Sequence, residues 1–282
     1  MADRRLVMFC HIEKCGGTTL IELMRSRLGI THVDLIPKDL QANVATARDL
    51  KATLRRVPFA RSVSGHSLRP HIDYGPGVEK FTLLRDPVKR YVSEFRHDQE
   101  RRHFTGTFEE WAALSSRWNH QTKFIAGEPC VDKAKRVLED EVSFFGLTER
   151  YEDFIEVIAT RLPELRGAPS SAANKSKGHA AITDRDLELA QERNKADIEL
   201  VEFARALFQD RMLGWLKAVG RQRLMPGFGR RANIAFRNLY YKPSLGLMPF
   251  APHSLPVNEV NAAVAEARGL DAHAAQGDTQ PD

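Results

Sequence analysis

The stretch LVMFCHIEKCGGTTLIELM, Leu6 to Met24, constrains the fold more than any other part of this chain. Leu6-Val7-Met8-Phe9-Cys10 is apolar without alternation, the pattern of a strand covered on both faces, as in a parallel sheet. A lysine, a cysteine, paired glycines and paired threonines follow, and then an amphipathic helical pattern begins. Such a strand–glycine corner–helix unit belongs in an α/β protein. Repetition of the scheme predicts strands at Arg5–His11, Phe59–Gly65, Lys80–Leu84 and Ser143–Leu147, with a weaker one near His32–Ile36.

Helices are predicted between the strands, at Thr18–Leu28, Val88–Arg101, Thr107–Trp118, Val131–Glu141 and Glu149–Leu162. A long helix or helix pair follows over Asp184–Ala218. The expected fold class is therefore α/β, a P-loop-like parallel sheet flanked by helices, with a mostly helical C-terminal part. Thr107-Phe-Glu-Glu110 reads as a capping box, and Asp86-Pro87 as an N-cap followed by the proline of a first helical turn. Gly167–Ala181 is small and polar, hence a loop. Residues 1–219 are expected to form the main domain and 220–282 a basic, aromatic appendage with a disordered end. Arg221 to Lys242 holds six basic residues (Arg221, Arg223, Arg230, Arg231, Arg237, Lys242), no acidic ones, and Phe228, Phe236, Tyr240 and Tyr241 among them.

The glycine corner is suited to an anion. Free backbone N–H groups at a helix N-terminus point outward, and the helix dipole adds positive potential. Gly16 and Gly17 let the backbone approach closely, Lys14 reaches over as a point charge, and Thr18 and Thr19 add hydroxyls. A plain tight turn is the alternative for the glycines alone. A second corner, Arg85-Asp86-Pro87, ends the Lys80–Leu84 strand. Ser93 lies two turns beyond Asp86 on the same helix face, so Arg85 and Ser93 can grip one phosphate from two sides. The alternatives are a salt bridge for Arg85 and a solvated helix serine for Ser93. Together the corners fit a ligand with two separated anionic groups.

With those residues in view, the chain resembles the carbohydrate sulfotransferases, the heparan sulfate 2-O- and 6-O-sulfotransferase-like group in particular. HIEKCGGTTL is similar to their 5′-phosphosulfate loop, H-I-x-K-T-G-G-T-[ST], and FTLLRDPVKRYVSEF to their 3′-phosphate motif. SGH (Ser64–His66), WNHQTKFIAG (Trp118–Gly127), FFGLTERYEDFI (Phe144–Ile155) and NKSKG (Asn174–Gly178) follow the same order, so the resemblance spans Arg5 to Met212. It implies a sulfotransferase that uses 3′-phosphoadenosine 5′-phosphosulfate, without a metal. Lys14, Cys15, Gly16, Gly17, Thr18 and Thr19 would hold the phosphosulfate, and Arg85 and Ser93 the 3′-phosphate. Lys175 and Ser176 would close over the nucleotide. Cys15 departs from the family's threonine and removes a hydroxyl donor.

Sulfuryl transfer to a hydroxyl needs positioning, charge stabilisation and a base. Lys14 serves the charge. His66, at a strand end facing the corners and in a Ser-Gly-His context like the family's, is the expected base; a loop histidine bonded to backbone is its alternative. His71 is the reserve candidate and an acceptor-side residue. Asn119 and Thr122, with Gln121, form a polar helix start that either touches acceptor or donor or merely caps the helix. Histidine 11 packs or orients Lys14, and Trp111 and Trp118, seven residues apart, share a helix face as core.

The expected acceptor is a carbohydrate or another hydroxyl-bearing molecule. Competing expectations are a P-loop kinase using ATP and magnesium, and a non-catalytic polyanion binder. The kinase is disfavoured because Lys14 precedes the glycines where a Walker loop places its lysine after them. The net charge of +5 suits an anionic partner in general. No nucleic-acid partner is expected, although the basic tail offers peripheral membrane or polyanion contact. With no signal-like or membrane-spanning run and three cysteines in no ligand spacing, a cytoplasmic, reduced protein is expected.

Overall fold

The computed structural model describes residues 5–37, 43–166 and 181–219. The 220–282 appendage, residues 167–180, and with them Lys175 and Ser176, lie outside the described residues.

Five strands form one wholly parallel sheet in the order β2-β3-β1-β4-β5. They are β1 (Leu6–Cys10), β2 (His32–Asp34), β3 (Ser62–Gly65), β4 (Val78–Leu84) and β5 (Phe144–Leu147). All five residues of β1 are buried, as its unbroken apolar run requires of a central strand. The weaker candidate near His32 is a genuine edge strand. Phe59 is exposed (43%) and stands before β3, which starts at Ser62.

The helices flank this sheet. The first four are α1 (Gly17–Leu28), α2 (Ala47–Arg56), α3 (Pro87–Arg101) and α4 (Phe108–Ala112). After them come α5 (His120–Ala126), α6 (Val131–Arg136), continued by a π turn at Val137–Glu141, and α7 (Tyr151–Ile158). The chain then forms α8 (Asp184–Arg193) and α9 (Lys195–Val219), the expected C-terminal helix pair. Helix α2 is additional to the sequence-based prediction, and α5 follows the polar helix start expected at Asn119–Thr122.

The predicted helix Thr107–Trp118 is divided. Its capping box forms: Thr107 Oγ1 accepts from Glu110 N (3.2 Å) while Glu110 Oε2 accepts from Thr107 N (2.7 Å). The α-helix nevertheless ends at Ala112, and a 3-10 turn covers Ser115–Arg117. Trp118 Nε1 donates to Ala112 O at 2.8 Å, so an indole takes a carbonyl that a continuing helix would have satisfied internally. Trp111 and Trp118 both pack in the smaller core, as expected, but from either side of this break and not from one helix face.

Two clusters of apolar side chains result. The larger covers the sheet; the smaller joins α3, α4 and α8 through Tyr91, Phe95, Phe108 and Trp111. Asp98 anchors the smaller one. It accepts from Trp111 Nε1 (2.8 Å) and is paired with Arg102 (2.9 Å) and Arg117. Burial by itself would raise this carboxyl; the hydrogen bonds from His97 and Trp111 and the two guanidiniums outweigh it and bring it down to about 2. Because its folded value is depressed, its stabilisation is complete above the ordinary carboxylate range and fades as pH falls toward about 2. Asp98→Ala should therefore lose roughly 3 kcal/mol at neutral pH. In urea denaturation series the gap from wild type should close as pH is lowered from about 5 toward 2.

Candidate functional site

The sheet order decides where the chemistry-bearing residues gather. The chain leaves β1 toward the β3 and β2 side and leaves β4 toward β5, so the topological switch lies between the C-terminal ends of β1 and β4. Ligands of open α/β sheets collect at that crevice. Both anion-suited corners open there. Cys10 pairs with Gly65 on one side and Thr82 on the other, so β3 and β1 end level with one another while β4 runs two residues further, to Leu84. His66, the glycine corner and Arg85 thus follow three adjacent strands, in that spatial order.

The turn after β1 has two residues in the left-handed region, Lys14 (φ 65) and Gly16 (φ 79), the latter serving as N-cap of α1. Gly16 accepts this conformation without strain; Lys14 adopts it at a cost. A Cβ at Gly17 would stand 2.1 Å from His11 Cδ2, so the second glycine is demanded by the imidazole lying on it. Thr18 is exposed and Thr19 half-buried in the first turn of α1. Lys14 is partly buried, which lowers its pKa against the pull of Glu94.

Cys15 is fully buried, and its Sγ faces Gln121 Oε1 at 3.5 Å. Its side chain points into the protein, leaving only its backbone for a ligand at the corner. Burial pushes the thiols of Cys15 and Cys10 each up to about 12.

The two corners are fastened to each other. Arg85 Nη1 donates to Lys14 O (2.9 Å), Arg85 N donates to Gln121 Oε1 (2.9 Å), and Gln121 Nε2 donates back to Arg85 O (2.9 Å). Thr148 Oγ1, following β5, donates to Leu84 O at 2.8 Å. Arg85 and Ser93 line one surface groove. Asp86, beside them, caps α3 by accepting from Lys89 N at 2.9 Å.

His66 is exposed, and its ring stacks on that of His11 with centroids 4.1 Å apart. Its Nδ1 lies 3.2 Å from His11 O. A carbonyl can only accept, so Nδ1 carries the proton and Nε2 presents its lone pair outward. His11 is 3% exposed and sits between Phe9 and His66, with its pKa held well below the usual range by burial and by His66. It packs between these rings and over Gly17.

The other expected site residues have partners of their own. Thr122 is fully buried and donates through Oγ1 to Asp197 Oδ1 (2.8 Å), which also accepts from Thr122 N (2.7 Å). Asn119 Oδ1 accepts from Ala196 N (3.0 Å) and Asp197 N (3.2 Å). The helix starts therefore cap one another, Asn119 serving α9 and Asp197 serving α5. Both side chains are engaged in that exchange, and that of Thr122 is fully buried. His71 donates from Nδ1 to Ile125 O (3.0 Å), and partial burial lowers its pKa. Gln121, noted in the sequence only as part of a polar helix start, is the residue that binds the corners together. A fully buried carboxamide is its structural signature, and sequence alone does not show burial.

The family model described as "Sulfotransferase family" matches residues 1–185. The chain is 26% identical over 280 residues to heparan-sulfate 6-O-sulfotransferase 1-B of Danio rerio, covering 73% of this chain and 66% of that protein. It is 26% identical over 278 residues to heparan-sulfate 6-O-sulfotransferase 1 of Homo sapiens, with the same coverage of each. A Gallus gallus heparan-sulfate 6-O-sulfotransferase 1 is 33% identical over 122 residues, 35% of this chain and 29% of that protein. The chain spans about two thirds of the length of the first two relatives.

Burial of two thiols has a direct readout. Of the three cysteines, only Cys130 is partly exposed. An aromatic disulfide reagent at pH 8 should titrate one thiol per native chain within minutes and the remaining two after denaturation; rapid native reaction of all three would contradict the inward course of Cys15.

Proposed function

The chain belongs to the sulfotransferase family, and we propose that it moves a sulfuryl group from 3′-phosphoadenosine 5′-phosphosulfate to a hydroxyl of a carbohydrate. The observation that carries the proposal is the pair of tethered corners at the switch between β1 and β4, with His66 on the far side of the glycine corner. That the similar proteins are heparan-sulfate 6-O-sulfotransferases supports a sugar hydroxyl as acceptor.

In this reading Lys14, the α1 N-terminus and the backbone of Cys15–Thr19 hold the phosphosulfate in a P-loop-like turn, and Arg85 with Ser93 holds the 3′-phosphate. The bound donor supplies an activated S–O bond. His66 Nε2 removes the acceptor proton as the acceptor oxygen bonds to sulfur. The electron pair of the broken S–O bond goes to the phosphate oxygen, where Lys14 and the first-turn N–H groups stabilise the growing charge. The His11 carbonyl holds the His66 ring in the tautomer a base requires. The protein needs no metal for these steps. Asp86 is engaged as a helix cap, which supports this reading over an ATP–magnesium kinase.

His66→Ala should keep calorimetric binding of adenosine 3′,5′-bisphosphate within about twofold of wild type. It should lose transfer to an oligosaccharide panel by about 10²- to 10⁴-fold, read by mass spectrometry. Lys14→Ala should weaken the nucleotide as well. Undiminished turnover by the His66 variant would reject its role, and stabilisation by ATP with magnesium but not by the bisphosphate would reject the family chemistry.

A further inference from the structure

The groove that holds Arg85 and Ser93 contains more positive charge than that pair requires. Lys89 and Arg96 line it too, so three cations converge on a volume of about 280 Å³. Lys89 is exposed and one turn before Ser93; Arg96 is one turn after it and half-buried. The Nε of Arg96 is buried without a hydrogen-bond partner, and among the described residues the guanidinium forms no ion pair. The carboxylate at this end of α3, Asp86, already accepts from Lys89 N and lies 3.8 Å from Arg205. A guanidinium partly withdrawn from water and left without an anion is unfavourable unless a ligand supplies one. Opposite the cations stand Ile182 and Leu187, just before and within α8, with Leu187 37% exposed. An apolar wall facing a cationic one suits a ligand with a doubly charged end and a flat, weakly polar body.

We propose that Lys89 and Arg96, which the family resemblance leaves unassigned, determine the preference for a 3′-phosphorylated adenosine over one with a free 3′-hydroxyl. Ile182 and Leu187 supply the surface against which the adenosine rests. The proposal rests on the donor assignment made above and extends it. Arg85 is already committed through Nη1 to the Lys14 carbonyl, so it brings only part of its fork to the phosphate. Arg96 supplies a second, uncommitted guanidinium, and Lys89 a mobile charge at the rim.

The test is titration calorimetry of the full chain with adenosine 3′,5′-bisphosphate and with adenosine 5′-monophosphate. Arg96→Met and Lys89→Met should each weaken the bisphosphate by about tenfold, leaving monophosphate binding and melting temperature unchanged. Arg96→Lys should recover part of the loss. Variants that keep the wild-type ratio of the two affinities overturn this inference while the donor assignment stands. An equal loss for both nucleotides overturns it as well, since the charge would then not act on the 3′ end. Failure of the unaltered chain to bind the bisphosphate would instead remove the donor assignment, and this inference with it.

Discussion

The carboxamide of Gln121 is the joint on which the site depends. It satisfies both the N–H and the carbonyl of Arg85 and meets the thiol of Cys15, so one buried side chain ties the ends of β4 and β1 together. An unmet polar group at this depth is costly, so the three contacts fix the distance between the corners. Gln121 is held in turn by Asp197, which accepts from its backbone N at 3.1 Å. A residue on α9 thereby determines how two strand ends face each other, and the C-terminal helix pair becomes part of the site's support.

The parallel sheet does the rest by order alone. Adjacent strands lie about 4.8 Å apart, and β3, β1 and β4 are neighbours, β3 and β1 ending level and β4 two residues beyond them. His66, the glycine turn and Arg85 are thereby spread side by side along the sheet's C-terminal edge. The roles proposed for them need groups placed in such a sequence, and strand order alone sets it.

Much of this was legible in the residues. The unbroken apolar runs of β1 and β4 marked buried parallel strands, and Asp86-Pro87 and Thr107–Glu110 marked helix starts that form as read. What escaped depends on partners distant in sequence. Helix α5 begins at an Asn119 in the left-handed region with no side-chain cap of its own; its first N–H groups are met by Asp197, more than seventy positions on. Local pattern reading has no access to such a cap. Helix α2 buries only Leu50 and Thr53, too little apolar periodicity to stand out, although Thr46 and Asp49 form a capping box. That Lys14, Arg85 and His66 stand at strand ends and turns was readable because such positions are set locally. The burial of Thr122 and the mutual capping by Asn119 were not.

The inward course of Cys15 carries a consequence for the surroundings in which the protein can operate. A thiol at an anion-binding turn is ordinarily a point of attack for peroxide and electrophiles, since the turn's field favours the thiolate. Here the sulfur is turned away from that field, sealed from solvent and held protonated. A thiol so placed is a poor target for oxidants and electrophiles, although it sits in a turn next to two glycines at a helix start.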